Sequence, residues 1–159
     1  MEEAAPAEKV VEAKTERDFS KIRIMVVDDV PMNLRVVKAI FNKIGLKNVV
    51  TMGSGREALD YLEKKDLVDI ILSDMWMPEM NGAEFSAAVK KDPRLKHIPV
   101  VAQTADVETR GNFDMSHFDA ILLKPVTKEK LTNMVERILG FGKYADKQGE
   151  EEGGLIDFG

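Results

Sequence analysis

Residues 68–82 read VDIILSDMWMPEMNG, an apolar run that stops at the carboxylate of Asp74 and then breaks into a turn. The run from Val68 to Leu72 is short and β-branched, which is typical of a central strand in a parallel sheet covered on both faces. Asp74 follows at the carboxyl end of this strand. Because open α/β sheets bind their ligands outside the carboxyl ends of the strands, we expect the chemistry at Asp74.

Strand-like and helix-like segments alternate on both sides of this run. Short β-branched runs predict four more strands, at residues 22–27, 48–52, 97–103 and 120–123. Apolar residues at helical spacing predict helices at residues 31–44, 54–63, 83–90 and 128–139. Residues 105–116 are polar and contain Gly111, which predicts a weak, mobile fourth helix. The alternation predicts an α/β, flavodoxin-like fold: a doubly wound five-stranded parallel sheet in the order 2-1-3-4-5, with helices on both faces.

Composition divides the 159-residue chain into one domain and two tails. Residues 1–20 are rich in Glu, Ala and Lys, which predicts a linker or a flexible N-terminal segment. Residues 141–159 include the acidic run EEEGG and predict a disordered tail. The predicted domain is therefore residues 21–140, and neither tail could fold into a DNA-binding or enzymatic domain.

Charge and composition exclude some classes of partner. The net charge of -5 argues against nucleic acid or an anionic membrane as the main partner, because both bind basic surfaces. The sequence shows no transmembrane run and no secretory leader, and its lack of cysteine suits a reducing compartment. We therefore expect a cytoplasmic protein that acts through protein contacts.

Polar residues stand at the carboxyl ends of four predicted strands: Asp28 and Asp29, Asp74, Thr104 and Lys124. Any one of them could simply mark the point where a strand reaches water. Together they predict one site, because the carboxyl ends of parallel strands lie on one edge of the sheet. Three carboxylates about 4 Å apart repel each other by several kcal/mol at intermediate dielectric, so the site needs a cation. Oxygen ligands favour Mg²⁺.

These motifs resemble the response-regulator receiver domain over about residues 22–139. The matching motifs are the acidic pair Asp28-Asp29, the loop from Asp74 to Pro78 with Asn81-Gly82, the pair Thr104-Ala105 and the pair Lys124-Pro125. The resemblance implies that Asp74 is the phosphoacceptor. It also implies a Mg²⁺ site in which Asp29, Asp74 and the main-chain carbonyl of Trp76 bind the ion directly and Asp28 binds it through water. It also implies that Thr104 and Lys124 bind the phosphoryl group next to Ala105, while Pro78, Gly82 and Pro125 support the loops.

The resemblance further implies a phosphoacceptor module of a two-component phosphorelay. A histidine kinase or a histidine phosphotransfer protein would supply the phosphoryl group. No independent enzyme activity is expected beyond self-phosphorylation from phosphodonors and slow self-dephosphorylation. The group would then draw in the segment after the fourth strand. A downstream protein would bind the face formed by the fourth helix, fifth strand and fifth helix. The Glu/Lys-rich start and Pro31-Met32-Asn33 favour a receiver of a hybrid histidine kinase.

Two residues depart from the family pattern. Ile121 stands three residues before Lys124, where receivers usually have an aromatic switch residue, and Trp76 is a bulky ring two residues after the acceptor. Ile121 leaves open a receiver-like scaffold that binds partners without phosphorylation.

Two other functions fit the sequence less well. An aspartate-nucleophile phosphatase of the haloacid-dehalogenase type requires Asp-x-Asp after the first strand, and a flavin-binding domain requires a Gly-rich, hydroxyl-rich loop there. Neither pattern is present: the first strand is followed by Asp28-Asp29-Val30 and Pro31-Met32-Asn33.

Overall fold

The computed structural model describes residues 19–64, 67–105, 109–141 and 155–158. In chain order, the elements are β1 (Arg23–Val27), α1 (Pro31–Lys43), β2 (Asn48–Met52), α2 (Gly55–Lys64), β3 (Ile70–Asp74), α3 (Gly82–Lys91), β4 (Val100–Thr104), α4 (Thr109–Asn112), β5 (Ala120–Leu123), α5 (Lys128–Leu139) and β6 (Ile156–Asp157). None of the helices within these ranges has the length and apolar character needed to cross a bilayer.

The strands form one parallel sheet in the order β2-β1-β3-β4-β5-β6. In the centre of the sheet, Ile71 of β3 lies opposite Met25 of β1 and Val100 of β4. Every residue of β3 and β4 is buried, as expected for parallel strands that have helices on both faces. The predicted fold class and the order 2-1-3-4-5 are confirmed, and a sixth short strand is added.

Two apolar clusters fill the space between the sheet and its helices. On one face, α1 and α5 contribute Val37, Phe41, Leu131 and Met134. On the other face, α2 and α3 contribute side chains of which Leu62 and Phe85 are fully buried. Because both faces of the sheet are covered, β1, β3 and β4 can bring polar side chains to a ligand mainly at the ends of the strands.

The packed domain extends slightly beyond the predicted limits of residues 21 and 140. Phe19 is buried, and its ring meets the ring of Phe141 edge to face with centroids 5.7 Å apart. Residues 1–18 lie outside the described part of the chain, so the prediction of a flexible N-terminal segment stays a prediction.

Two segments differ from their predictions. The predicted tail at residues 141–159 contains β6, which pairs in parallel with β5, whereas residues 142–154 and 159 lie outside the described chain. Within the predicted fourth helix, residues 105–116, the described part of the chain contains the four residues of α4, and residues 106–108 are not described. On its described side the helix ends at Asn112 instead of residue 116, which fits the low helix propensity of Gly111 and the lack of an apolar stripe.

Candidate functional site

Three carboxylates meet at the carboxyl edge of the sheet. Asp28 and Asp29 follow β1, and Asp74 is the last residue of β3, the strand paired with β1. Each residue offers a carboxylate oxygen, and these oxygens lie within 4.8 Å of one another. Asp28 and Asp74 are only 1% and 8% exposed, and Asp29 is half-buried. The structure thus brings together the acidic residues that the sequence places at the ends of two strands.

Asp28 is fixed by the first residues of the α1 segment. Its Oδ1 accepts a hydrogen bond from the backbone N–H of Val30 at 2.9 Å, and its Oδ2 accepts one from Nδ2 of Asn33 at 3.2 Å. Sequence reasoning missed Asn33 as a site residue. The available signal was an amide side chain in the first turn of a helix that begins beside an acidic pair, but that pattern does not show where the side chain points.

Lys124 supplies the positive charge of the site. Its Nζ lies 3.3 Å from Oδ1 of Asp74 and 3.9 Å from Oδ2 of Asp28. The lysine follows β5 directly, and its backbone N–H donates to the carbonyl of Thr104 at the end of β4, 2.8 Å away. The Lys124–Pro125 peptide bond is cis. One ammonium group therefore lies beside two of the three carboxylates.

The surroundings of Asp74 disfavour its charged form. Burial raises the pKa of its carboxyl group, and the nearby negative charge of Asp28 raises it further. The charge and hydrogen bond of Lys124 act in the opposite direction but do not cancel the increase. Without a cation, the pocket therefore disfavours the ionised form of the residue that the sequence predicts to be the nucleophile.

The backbone after Asp74 packs too tightly for any side chain at residue 82. A Cβ added to Gly82 would lie 2.5 Å from the carbonyl oxygen of Asp74 and 3.0 Å from Cα of Met75. The Gly82 N–H donates to the Met75 carbonyl at 2.9 Å, which closes the loop onto α3. A capping box then fixes the start of α3, since Asn81 and Glu84 each accept a hydrogen bond from the other's backbone N–H.

The middle of this loop is a tight turn. The Met80 N–H donates to the Pro78 carbonyl at 2.7 Å, and Glu79 between them has a φ of 70°, in the left-handed region. Earlier in the loop, the Trp76 side chain is 55% exposed, and its ring meets that of Phe113 edge to face with centroids 4.7 Å apart. This aromatic pair connects the loop after β3 to the segment after α4.

The remaining predicted residues lie on β4 and β5 or directly after them. Thr104 is buried at the end of β4, next to β3, and Ala105 after it is exposed. Pro125 is exposed beside Lys124. Ile121 lies within β5 and is buried in the apolar cluster on the α2 and α3 face.

Gln103 is a second residue that sequence reasoning missed. It is 3% exposed, it lies opposite Asp74 in the register of β3 and β4, and its Oε1 has no hydrogen-bond partner among the described residues. A polar residue inside the buried run VVAQT was the available signal. Beside it is a cavity of about 380 Å³, lined by Asn33, Val36, Val37, Gln103, Ala105, Lys124, Pro125 and Val126. Because Lys124 lines both, the cavity adjoins the charged cluster.

The carboxylate cluster fits a divalent cation. Its ligand atoms are all oxygens, they lie within 4.8 Å of one another, and negative charge outnumbers positive charge. Hard oxygen donors of this kind suit Mg²⁺, which uses one or two carboxylates together with water or phosphate oxygens. The raised pKa of Asp74 is a second sign, because a cation in the cluster would relieve the repulsion that helps to raise it.

Known proteins of one family are similar to this chain in sequence. Residues 24–136 match the model of the response regulator receiver domain. The two-component response regulator ORR5 of Oryza sativa subsp. japonica is 35% identical over 118 residues, which are 73% of this chain and 87% of the rice protein. The chemotaxis protein CheY of Pseudomonas aeruginosa is 30% identical over 125 residues, 75% of this chain and 100% of that protein.

A solved structure shows the same architecture. The response regulator TrrA from Thermotoga maritima, solved in complex with Mg²⁺-BeF, superposes with a TM-score of 0.67 at 25% sequence identity. The match covers 74% of this chain and 98% of the TrrA chain.

Proposed function

This chain belongs to the response-regulator receiver family of two-component signalling, and on that premise we propose that it accepts a phosphoryl group on Asp74. The observation that carries the proposal is the charged cluster: Asp74 lies 3.3 Å from the ammonium of Lys124 and shares its pocket with Asp28 and Asp29. A nucleophilic carboxylate and a fixed ammonium are the groups that phosphoryl transfer requires.

In the proposed reaction, a carboxylate oxygen of Asp74 attacks the phosphorus of a phosphohistidine. The new P–O bond forms as the P–N bond breaks, and the imidazole leaves with the electron pair and takes up a proton. Lys124 can stabilise charge on a phosphoryl oxygen because its ammonium already lies beside the attacking carboxylate. The product is an aspartyl phosphate.

We propose Asp29, Asp74 and the main-chain carbonyl of Trp76 as the direct protein ligands of Mg²⁺, with Asp28 holding the ion through water. When bound, the ion neutralises the pocket and lowers the cost of bringing a phosphate dianion beside three carboxylates. Support comes from the spacing of the carboxylates and from TrrA, the family member solved with Mg²⁺-BeF. Asp28 is already held by two hydrogen bonds, so it is oriented before any ion arrives.

A phosphohistidine donor is proposed to dock on the start of α1. Val30, Met32 and Val36 are exposed apolar residues, and Val36 also lines the cavity next to Lys124. A histidine kinase or a histidine phosphotransfer protein could bury these side chains while placing its phosphohistidine at Asp74. A downstream partner is proposed to bind the face formed by α4, β5 and α5. As a receiver of this kind, the protein would act in the cytoplasm.

Phosphorylation is tested by incubating the protein with acetyl phosphate and Mg²⁺ and measuring intact mass. One labile phosphoryl group is expected, and none with Asp74→Asn or with Mg²⁺ removed by EDTA. Asp69→Asn is the matched control, because Asp69 lies on the same stretch but outside the cluster, and an Asn side chain can still accept from the N–H of Arg23. An adduct on Asp74→Asn would place the phosphoryl group on another residue and contradict Asp74 as the acceptor. No adduct on the wild type with either acetyl phosphate or phosphoramidate would favour the scaffold without phosphorylation.

Donor docking is tested separately with Val36→Asp. A charge in the apolar patch should slow transfer from a phosphorylated histidine phosphotransfer protein by about tenfold or more, because burying the carboxylate costs more than 1.4 kcal/mol. The rate with acetyl phosphate should stay the same, since a small donor does not use the patch. Equal slowing with both donors would place the defect in the site and contradict docking on α1.

A further inference from the structure

The outer edge of β5 is unusually apolar for a sheet edge. Its four residues read AILL, and none of them is polar. Unpaired edges of this kind bind other strands, and proteins normally protect them with charges, prolines or a covering segment. Among the described residues, the covering segment here is residues 155–158.

These residues complete the ladder with backbone hydrogen bonds. The N–H of Ile156 donates to the carbonyl of Asp119 at 3.0 Å, and the N–H of Phe158 donates to the carbonyl of Ile121 at 2.9 Å. The pairing is parallel, with Ile156 opposite Ala120 and Asp157 opposite Ile121. Both bonds are made by main-chain atoms, so they hold an extended segment without selecting its side chains.

Side-chain selection comes from alternation along the segment. Ile156 and Phe158 pack against the apolar cluster on the α1 and α5 face. Leu155 packs against the cluster on the opposite face, which contains Ile121 and Phe118. The edge therefore offers apolar surface on both sides of the sheet, and it fits a segment with apolar residues at alternating positions.

The occupied edge is suited to exchange. β6 is only two residues long, and the apolar side chains of the segment, Leu155, Ile156 and Phe158, remain half-exposed. Residues 142–154 connect the end of the domain to this segment, and a chain of this length can span at most about 45 Å. Because β6 runs parallel to β5, it begins at the same edge of the sheet at which α5 ends, so the connection does not have to cross the sheet.

We propose that the outer edge of β5 is a binding site for extended apolar peptide segments and that residues 155–158 are its tethered occupant. The partner that fits is a protein segment with an aliphatic and an aromatic residue two positions apart, which binds by strand addition after displacing β6. The outer edge of β5 belongs to the face proposed above for a downstream partner. Binding at this edge is inferred for the unphosphorylated protein, so it does not depend on phosphorylation of Asp74.

The test uses a fluorescent peptide of residues 153–159, GGLIDFG, and a variant that ends at Gly154. The peptide should bind the shortened variant saturably in fluorescence anisotropy. Its affinity for the full chain should be at least tenfold weaker, because the tethered segment competes at an effective concentration in the millimolar range. The control peptide GGLPDPG lacks both N–H donors and should not bind.

A full-length variant guards against loss of structure in the shortened chain. Ile156→Pro with Phe158→Pro should bind the peptide like the shortened variant, whereas Gly153→Pro, in the tether, should bind as weakly as the wild type. Hydrogen exchange at Ile156 and Phe158 of the wild type should be slower than in the free peptide. The proposal would be overturned if the peptide bound none of these proteins, or if it bound the wild type as tightly as the shortened chain and the double proline variant. Exchange at Ile156 and Phe158 of the wild type as fast as in the free peptide would also overturn it.

Discussion

The position of Asp74 makes its ionised carboxylate unfavourable in the folded protein. Burial and the charge of Asp28 raise its pKa, so the folded protein holds this proton more tightly than the unfolded chain does. Between the unfolded value of 3.8 and the raised folded pKa, the folded state binds more protons, and stability falls as pH rises. Above the folded pKa, the full cost of the buried charge is present.

Asp74→Asn should therefore stabilise the metal-free protein at pH 7, by about 0.5–2 kcal/mol in free energy of unfolding. The gain should shrink as pH falls through the raised pKa, where the wild-type carboxyl becomes neutral. Urea unfolding in EDTA at several pH values measures both effects. A less stable variant at pH 7 would show that the Lys124 contact outweighs the cost of burial. The Asp69→Asn variant is the reference for a general effect of losing one charge.

Trp76 is a second residue whose exposure suggests a role. Its ring is half-exposed but fixed against Phe113, so it can limit the approach of water to a phosphoryl group on Asp74, two residues away. Trp76→Asn should shorten the lifetime of phosphorylated protein several-fold, while Trp76→Phe, which keeps an aromatic ring, should change it less. The decay is followed by intact mass after acetyl phosphate is removed. An unchanged lifetime in Trp76→Asn would exclude shielding by this ring.

The sequence located the charged residues of the site because each stands at a visible strand end. Asp74 and Lys124 could be placed on one edge of the sheet from strand order alone. Asn33 and Gln103 could not, because their place in the site depends on the side-chain direction of a helix residue and on a cavity formed by three separate segments. Such contacts follow from tertiary packing and leave no local pattern.

Among the elements, the loop that joins β3 to α3 depends most on a single residue. Gly82→Ala would force a Cβ against the Asp74 carbonyl at 2.5 Å, and because this contact is with a backbone atom, no side-chain rotation can relieve it. We expect a loss of about 1–3 kcal/mol in stability and a displaced acceptor loop. The matched control is Gly111→Ala in α4, where nothing lies within 4 Å of the added Cβ.

The control should be neutral or stabilising by up to about 1 kcal/mol, since alanine favours a helix more than glycine does. Thermal unfolding and the rate of phosphorylation by acetyl phosphate measure the two effects. If Gly82→Ala kept both stability and rate, the loop would have to be more adaptable than its backbone contacts indicate.

Elements were predicted best where their signals are local. The bounds of β2 and β5 agree with the predicted strands because each is a β-branched or aliphatic run between clear breaks. β4 begins at Val100 instead of residue 97, since Pro99 lacks the N–H that a ladder needs. β6 escaped prediction because its pairing with β5 is long-range and its residues follow a Glu/Gly-rich run.

At the scale of the whole molecule, two connections run from the acceptor site toward the segment around α4. Thr104 ends β4 beside Asp74 and precedes this segment, and Trp76 contacts Phe113 after α4. A hydrogen bond from the Thr104 hydroxyl to a phosphoryl oxygen would pull on the first connection. A charge-assisted bond contributes about 1.5–3 kcal/mol, enough to shift a two-state equilibrium tenfold or more.

Phosphorylation should therefore change hydrogen exchange across residues 105–116 of the wild type. Thr104→Ala should accept the phosphoryl group from acetyl phosphate and still show little of this change, because the proposed acceptor is Asp74 whereas the pull depends on the Thr104 hydroxyl. Thr104→Ser keeps the hydroxyl and should behave like the wild type. If Thr104→Ala responded fully, the signal would have to pass through Trp76 and Phe113, and adding Trp76→Asn to Thr104→Ala should then abolish it. This double variant decides which connection carries the signal in a receiver that has Ile121 in place of an aromatic switch residue.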